Sequence, residues 1–169
     1  MKDKISYPFV PKSSKRLTPG DFWSIPLSNG RFACGRVVEL LPEGMPGSRV
    51  AFLGGLLDWH GPSKPTNESI SGSAFIEQGI MHIRAITNSG GSILGYRDFS
   101  LDSLGPWTFI YGNKIQCGFR FIRPWQITDN KRFTSLSWCG YEVIQTMANQ
   151  YFVDHLTKGG DPPSWLSRH

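Results

Sequence analysis

The chain has 169 residues, enough for one domain that buries an ordinary core without disulfide or metal staples. Its 19 Gly and 12 Pro, against 18% charged residues, exclude a helical bundle and indicate a turn-rich β protein. The formal charge of +5 would raise nucleic acid as a partner, but Lys2, Lys4, Lys12, Lys15 and Arg16 concentrate it in the first sixteen residues and leave a nearly neutral body, which disfavours that partner.

Residues 1–16 therefore read as a basic flexible arm, 17–160 as a single β-rich domain and 161–169 as a tail. The arm holds no apolar stretch of the kind that heads a secretory leader. No run in the chain approaches about 18 apolar residues, so a cytoplasmic protein without membrane contact is expected. Cys34, Cys117 and Cys139 are odd in number and lack C-x-x-C spacing, so free thiols are expected, with neither a disulfide framework nor a zinc site, and no cofactor is called for.

Residues 19–41 carry the sharpest pattern. Trp23, Ile25 and Leu27 alternate before Asn29-Gly30, and Phe32, Cys34, Val38 and Leu40 follow it, the signature of a β-hairpin. Pro26 has no N–H for the ladder, which favours a four-residue loop, 28–31, pairing Leu27 with Phe32 and leaving the outer side of Pro26 unpaired or bulged. That register puts Arg36 on the core face near Trp23. It is expected to stack on the indole or pair with a carboxylate, Asp21 being nearest, unless it faces a ligand or Gly35 seats a bulge that turns it away. Gly20, Asp21, Trp23, Asn29, Gly30, Gly35 and Arg36 form the structural motif.

The string Lys15-Arg16-Leu17-Thr18-Pro19-Gly20-Asp21-Phe22, then Ile25-Pro26-Leu27, Asn29-Gly30-Arg31-Phe32 and Gly35-Arg36-Val37-Val38, resembles the opening of the immunity protein 26 family of bacterial polymorphic toxin systems. That resemblance implies a small, mostly β domain that binds and neutralises a cognate toxin encoded beside it.

Further along, residues 42–48 form a Pro/Gly loop, and RVAFLGGLL (49–57) reads as a buried strand with Gly54-Gly55 marking a bulge or a close approach. The polar stretch 58–73 reads as a long loop opening with Asp58-Trp59-His60. Residues 80–86 alternate as a strand, pairing through the 88–91 turn with a return strand at 92–96. His82 has no second His or Cys at ligand spacing and reads as a half-exposed strand residue. Residues 97–107 form another loop with Arg97, Asp98, Asp102 and Trp107, and strands follow at 108–111 and 116–122. From Trp138 to Leu156, Trp138, Tyr141, Ile144, Met147, Ala148, Tyr151, Phe152 and Leu156 trace a helical apolar stripe, capped by Thr134, Ser135 or Ser137, stopped by Gly159-Gly160 and covering a curled sheet.

The expected fold is mainly β (α+β): a strongly curled antiparallel sheet or SH3-like partly open barrel with one C-terminal amphipathic helix packed on it. No catalytic signature is present, so catalytic and metal residues are read as none. The expected partner is a cognate toxin domain from an adjacent gene, gripped through Asp58, Trp59, His60, Arg97, Asp98, Asp102 and Trp107, since interfaces concentrate energy in aromatic and arginine anchors. The alternative is an SH3-like module for nucleic acid or a peptide, in which the basic arm would matter.

Overall fold

The computed structural model describes residues 5–166, so Met1 to Lys4 of the arm and Ser167 to His169 of the tail lie outside the described residues. The strands are β1 (Asp21–Pro26), β2 (Phe32–Leu40), β3 (Ala51–Gly61), β4 (Phe75–His82), β5 (Ile93–Tyr96), β6 (Thr108–Tyr111), β7 (Lys114–Cys117), β8 (Arg120–Pro124), β9 (Thr134–Ser135) and β10 (Trp138–Cys139). A six-stranded sheet A runs β10-β4-β3-β2-β1-β5, and a four-stranded sheet B runs β8-β7-β6-β9. A short helix α1 (Arg84–Thr87) follows β4. The C-terminal helix is α-helical as α2 (Val143–Ala148) and continues as a π-helix over Asn149–Thr157. The sheets are open and the fold is mainly β with this helix packed on sheet A, the class expected from the sequence. The β10–β4 and β6–β9 pairings are parallel, so neither sheet is purely antiparallel.

Sheet A is the middle layer, and its strands bury both faces. One face carries Trp23, Ile25, Leu27, Ala33, Val37, Phe52, Leu56 and Met81 against Ile144, Met147, Ala148, Phe152 and Val153 of the helix. The other carries Phe22, Cys34, Val38, Leu53, Leu57, Phe75 and Ile80 against Phe109 of β6, Leu136 and Ile70. Two buried faces explain why β3 reads as a continuous apolar run rather than an alternating one. Gly54 and Gly55 mark close approach: an added Cβ would meet the Met81 sulfur at 2.6 Å and the Phe75 ring at 2.5 Å.

The hairpin forms, but one residue out of the expected register. Pro26 pairs with Phe32, Ile25 with Ala33 and Trp23 with Gly35. The Leu27 N–H donates to Arg31 O at 2.8 Å and the Gly30 N–H to Leu27 O at 3.1 Å. With Gly30 at φ +80°, this is a three-residue loop closed by a glycine in the left-handed region. Because the strand period is two, the slip moves every β2 side chain to the other face. Cys34, Arg36 and Val38 thus lie away from Trp23, and Arg36 changes face through register rather than a bulge. The β1–β5 pairing stops at Trp23, which leaves Pro26 without an outer neighbour strand, as its missing donor requires.

Other boundaries also moved. β3 continues through Asp58, Trp59 and His60, so these are strand residues and not a loop. Residues 80–96 are not a hairpin: β4 ends at His82, α1 follows, and β5 crosses to pair with β1. A turn at Gly118 splits the expected 116–122 strand into β7 and β8. The helix begins at Val143, Thr134 and Ser135 belong to β9, and no side chain caps the start at Glu142. The π-helix places more residues in each turn than 3.6 spacing assumes, so Val153 joins the core while Leu156 is 48% exposed. Trp138 and Tyr141 precede the helix and are also exposed. Gly159, at φ +74°, stops the helix as expected. Residues 5–16, the described part of the expected solvated arm, are anchored: Phe9 bridges Ile93 and Ser14 is buried, while Trp165 of the tail donates to Gln150 Oε1 at 2.9 Å.

Candidate functional site

Arg36 organises the first part of the site. It is fully buried, with its guanidinium 4.4 Å from the Phe99 ring centre and its Nη1 3.8 Å from Asp102 Oδ2, while Nη2 donates to Gly20 O at 3.2 Å and to Arg97 O. Burial pushes its pKa down, opposed by neighbours that include Asp102. Asp21 is not its partner. That carboxylate, also buried, accepts from Tyr7 Oη at 2.6 Å and from the Thr18 N–H at 2.8 Å.

Around Arg36 the loop 97–107 is bound to the loop 62–74. Arg97 grips Asp102 with two parallel bonds, Nε to Oδ2 at 2.7 Å and Nη2 to Oδ1 at 2.8 Å, and reaches Asn67 Oδ1 at 3.0 Å and Ser71 Oγ at 3.1 Å. Asp102 also accepts from the Gly72 N–H at 2.9 Å, and the Arg97 bonds hold its carboxyl below the usual range although burial opposes them. Asp98 caps a single helical turn, Phe99–Leu101, accepting from the Ser100 N–H at 2.8 Å and Oγ at 2.7 Å. These residues can fix a loop shape. Their donors and acceptors point at one another.

The other expected contact residues divide. Asp58 and His60 face the C-terminal helix: the His60 ring stacks on Phe152 at 5.0 Å and accepts from Arg31 Nε at 3.3 Å, and Tyr151 hydrogen-bonds Asp58. Burial and then Arg31 push the His60 pKa down, favouring the neutral ring that can accept. Trp59 and Trp107 lie half-buried against the opposite core, with the backbone N–H of Trp107 donating to Gln78 Oε1 at 2.9 Å. The structure thus joins Arg97 and Asp102 in one network, sets Asp98 on the same loop with bonds to Ser100 and Tyr96, and places Asp58, Trp59, His60 and Trp107 outside it.

A different surface was missed. On β8 and the turn after it, Phe121 is 55% exposed, Ile122 44% and Ile127 75%. Arg123 grips Asp129 bidentately, Nη1 to Oδ2 at 2.9 Å and Nη2 to Oδ1 at 2.6 Å. The Gln126 N–H donates to Asp129 Oδ2 at 2.8 Å, and these bonds, Arg123 foremost, lower the Asp129 pKa to about 2. The sequence offered a signal: residues 114–132 hold Lys114, Arg120, Arg123, Lys131 and Arg132 against the single acid Asp129. A hollow of about 690 Å³ also opens beside β2, where Lys15 and Arg49 are only partly offset by Glu43 around Leu40, Leu41 and Met45. Among the described residues no group of three or more His, Cys, Asp or Glu is placed to hold a metal ion, and no helix is long and apolar enough to cross a membrane.

A family model described as immunity protein 26 matches residues 18–120, from the turn that opens β1 to the first residue of β8. The chain belongs to the immunity protein 26 family. No curated protein and no solved structure matches it. Within the immunity protein 26 match lie the whole hairpin, the Arg36 network and the strands that bury both cores. This family is generally non-enzymatic, and membership places the chain among immunity proteins.

Proposed function

We propose that this protein binds a cognate toxin, encoded by the adjacent gene, and neutralises it through protein–protein contact in the cytoplasm. The observation that carries the reading is the family match over residues 18–120. The geometry supports it in two ways. Loop 97–107 is rigidly held by Arg97, Asp98 and Asp102, which suits a surface recognised by shape. The polar groups of that network are consumed internally, which favours a binding role over acid–base work.

Among the seven loop and strand-end residues, Trp107 is the proposed direct contact. It precedes Thr108, which lies in a cross-strand row with Cys117 and Arg120, so the indole and the β8 edge share one end of sheet B. Trp59, on the same core, supports it. Arg97, Asp98 and Asp102 set the loop shape, and Asp58 and His60 seat the helix.

The experiment is co-expression with the toxin domain of the adjacent reading frame. Survival of the host and co-purification of the two chains are expected, and toxicity unaltered by this protein overturns the reading. Trp107→Ala is expected to weaken the complex at least tenfold, about 1.4 kcal/mol, by calorimetric titration.

A further inference from the structure

We propose that the β8 edge of sheet B, with the turn behind it, is the docking surface for the toxin, and that it takes a segment combining acidic and apolar side chains. This deepens the neutralising function and rests on it. Phe121 shares its face of sheet B with Phe109, through the row Phe109, Gln116 and Phe121. Phe109 is fully buried against sheet A, yet Phe121, two strands further out and about 10 Å away, is 55% exposed. Sheet B therefore overhangs the core at this edge. Ile122, the unpaired residue next to Phe121, and Ile127, just past the strand end, add further exposed apolar surface to this edge at 44% and 75%.

Ile127 is not exposed through looseness. It opens a helical turn, Ile127–Lys131, locked by reciprocal bonds between Gln126 and Asp129 and by the Arg123–Asp129 pair. A preorganised apolar side chain in water costs less to bind than one that must first be ordered. Charge supplies the partner's chemistry. Lys114, Arg120, Lys131 and Arg132 are all exposed, and the one carboxylate in residues 114–132 is already spent on Arg123. Exposed apolar residues flanked along the chain by cations suit a protein contact, and the complementary segment carries acidic side chains beside its apolar ones. Phe121 is the single aromatic ring on β8, and Ile122 and Ile127 offer nothing to phosphates or to stacked bases, which favours a protein partner over nucleic acid here. The extra residue at Ile122 in the β7–β8 pairing and Pro124 at the strand end interrupt the ladder. The partner is thus held by side chains rather than added as a fifth strand.

The test titrates the full-length chain with the toxin domain of the adjacent reading frame, in wild-type form and as Phe121→Ser, Ile127→Ser and Arg120→Glu. Each variant is expected to melt with the wild type and to bind at least tenfold more weakly. The loss in Arg120→Glu should shrink as salt rises, and Arg120→Lys should restore most of the affinity. If wild type binds the toxin and all three variants match it, this surface is wrong while the neutralising function stands. If wild type does not bind, both fall. Dimerisation abolished by Phe121→Ser would assign the patch to a second copy, and single-stranded RNA binding abolished by Arg120→Glu would assign it to nucleic acid. Either result overturns the proposal.

Discussion

The hairpin of sheet A and the outer edge of sheet B are built from similar residues and do opposite things. In β1 every residue from Asp21 to Ile25 is buried, and Trp23 and Ile25 are wholly inaccessible. In β8 four of five residues are exposed, including Phe121 and Ile122. Each region carries arginines, but Arg36 is sealed beneath Phe99 and Asp102, whereas Arg120 stands in solvent. What separates them is cover. β1 is roofed on one face by the helix and on the other by loop 97–107 and sheet B, while β8, at the edge of sheet B, has no layer beyond it among the described residues. Similar apolar and cationic chemistry therefore yields a fixed core in one place and a surface open to a partner in the other.

The largest expected effect breaks the covered region. A Cβ at Gly35 would lie 2.3 Å from the Trp23 ring, which is itself fully buried and cannot swing away. Gly35→Val is expected to cost about 3 kcal/mol, read as a fall in urea midpoint or as loss of soluble protein. Unchanged stability would mean that Trp23 has room to move, and the contrast with β8 would fail.

Arg36→Ala comes next. Removing one member of a buried ion pair usually costs about 3–5 kcal/mol because the partner's charge is stranded. Here Arg97 still neutralises Asp102, so about 2 kcal/mol is expected, arising from lost packing on Phe99 and lost bonds to two carbonyls. Arg36→Met should recover part of that loss in chemical denaturation. If methionine were no better than alanine, the bonds rather than the packing would carry the stability. Phe121→Ser, by contrast, should shift stability by no more than about 0.5 kcal/mol, since the side chain is already half in water. A larger loss would show β8 to be covered, and the two regions to be alike.

How far the sequence disclosed all this follows from the same difference in cover. Period-two alternation and Asn29-Gly30 located the hairpin, and the resemblance of its string to a known family is upheld by a match running to residue 120. The loop length was misjudged by one residue because Pro26 suggested its partner from one missing donor, whereas the outer neighbour β5 already stops short of it. That slip placed Arg36 beside Trp23 and made Asp21 its expected partner, when the true partner, Asp102, lies 66 positions further on and is brought in by tertiary packing alone. The C-terminal stripe was legible from Ile144 to Phe152 and failed at both ends, where a short parallel strand and a π-helix depart from 3.6 spacing. Exposure at Phe121 and Ile127 was illegible, since an apolar residue in a strand or turn is read as buried unless the missing neighbour layer is known.

The smallest expected effect bears on how firmly the open edge is held. In the folded chain the Asp129 carboxyl titrates at about 2, below its ordinary 3.8, because Arg123 and the Gln126 N–H bind the ionised form. A carboxylate depressed on folding adds stability above its unfolded pKa and surrenders it as pH falls through the folded one. Asp129→Asn should therefore melt below wild type by a constant margin above about pH 4, and the margin should close as the pH approaches 2. Amide exchange sharpens the point. Gln126 and the neighbouring 127–131 turn should lose protection in the variant at neutral pH, while the amides of β1 to β3 keep theirs. A gap that persisted to pH 2 would show that Asp129 acts through its shape rather than its charge. Equal loss of protection in sheet A would show that the edge and the core unfold as one unit, leaving no independently held surface at β8.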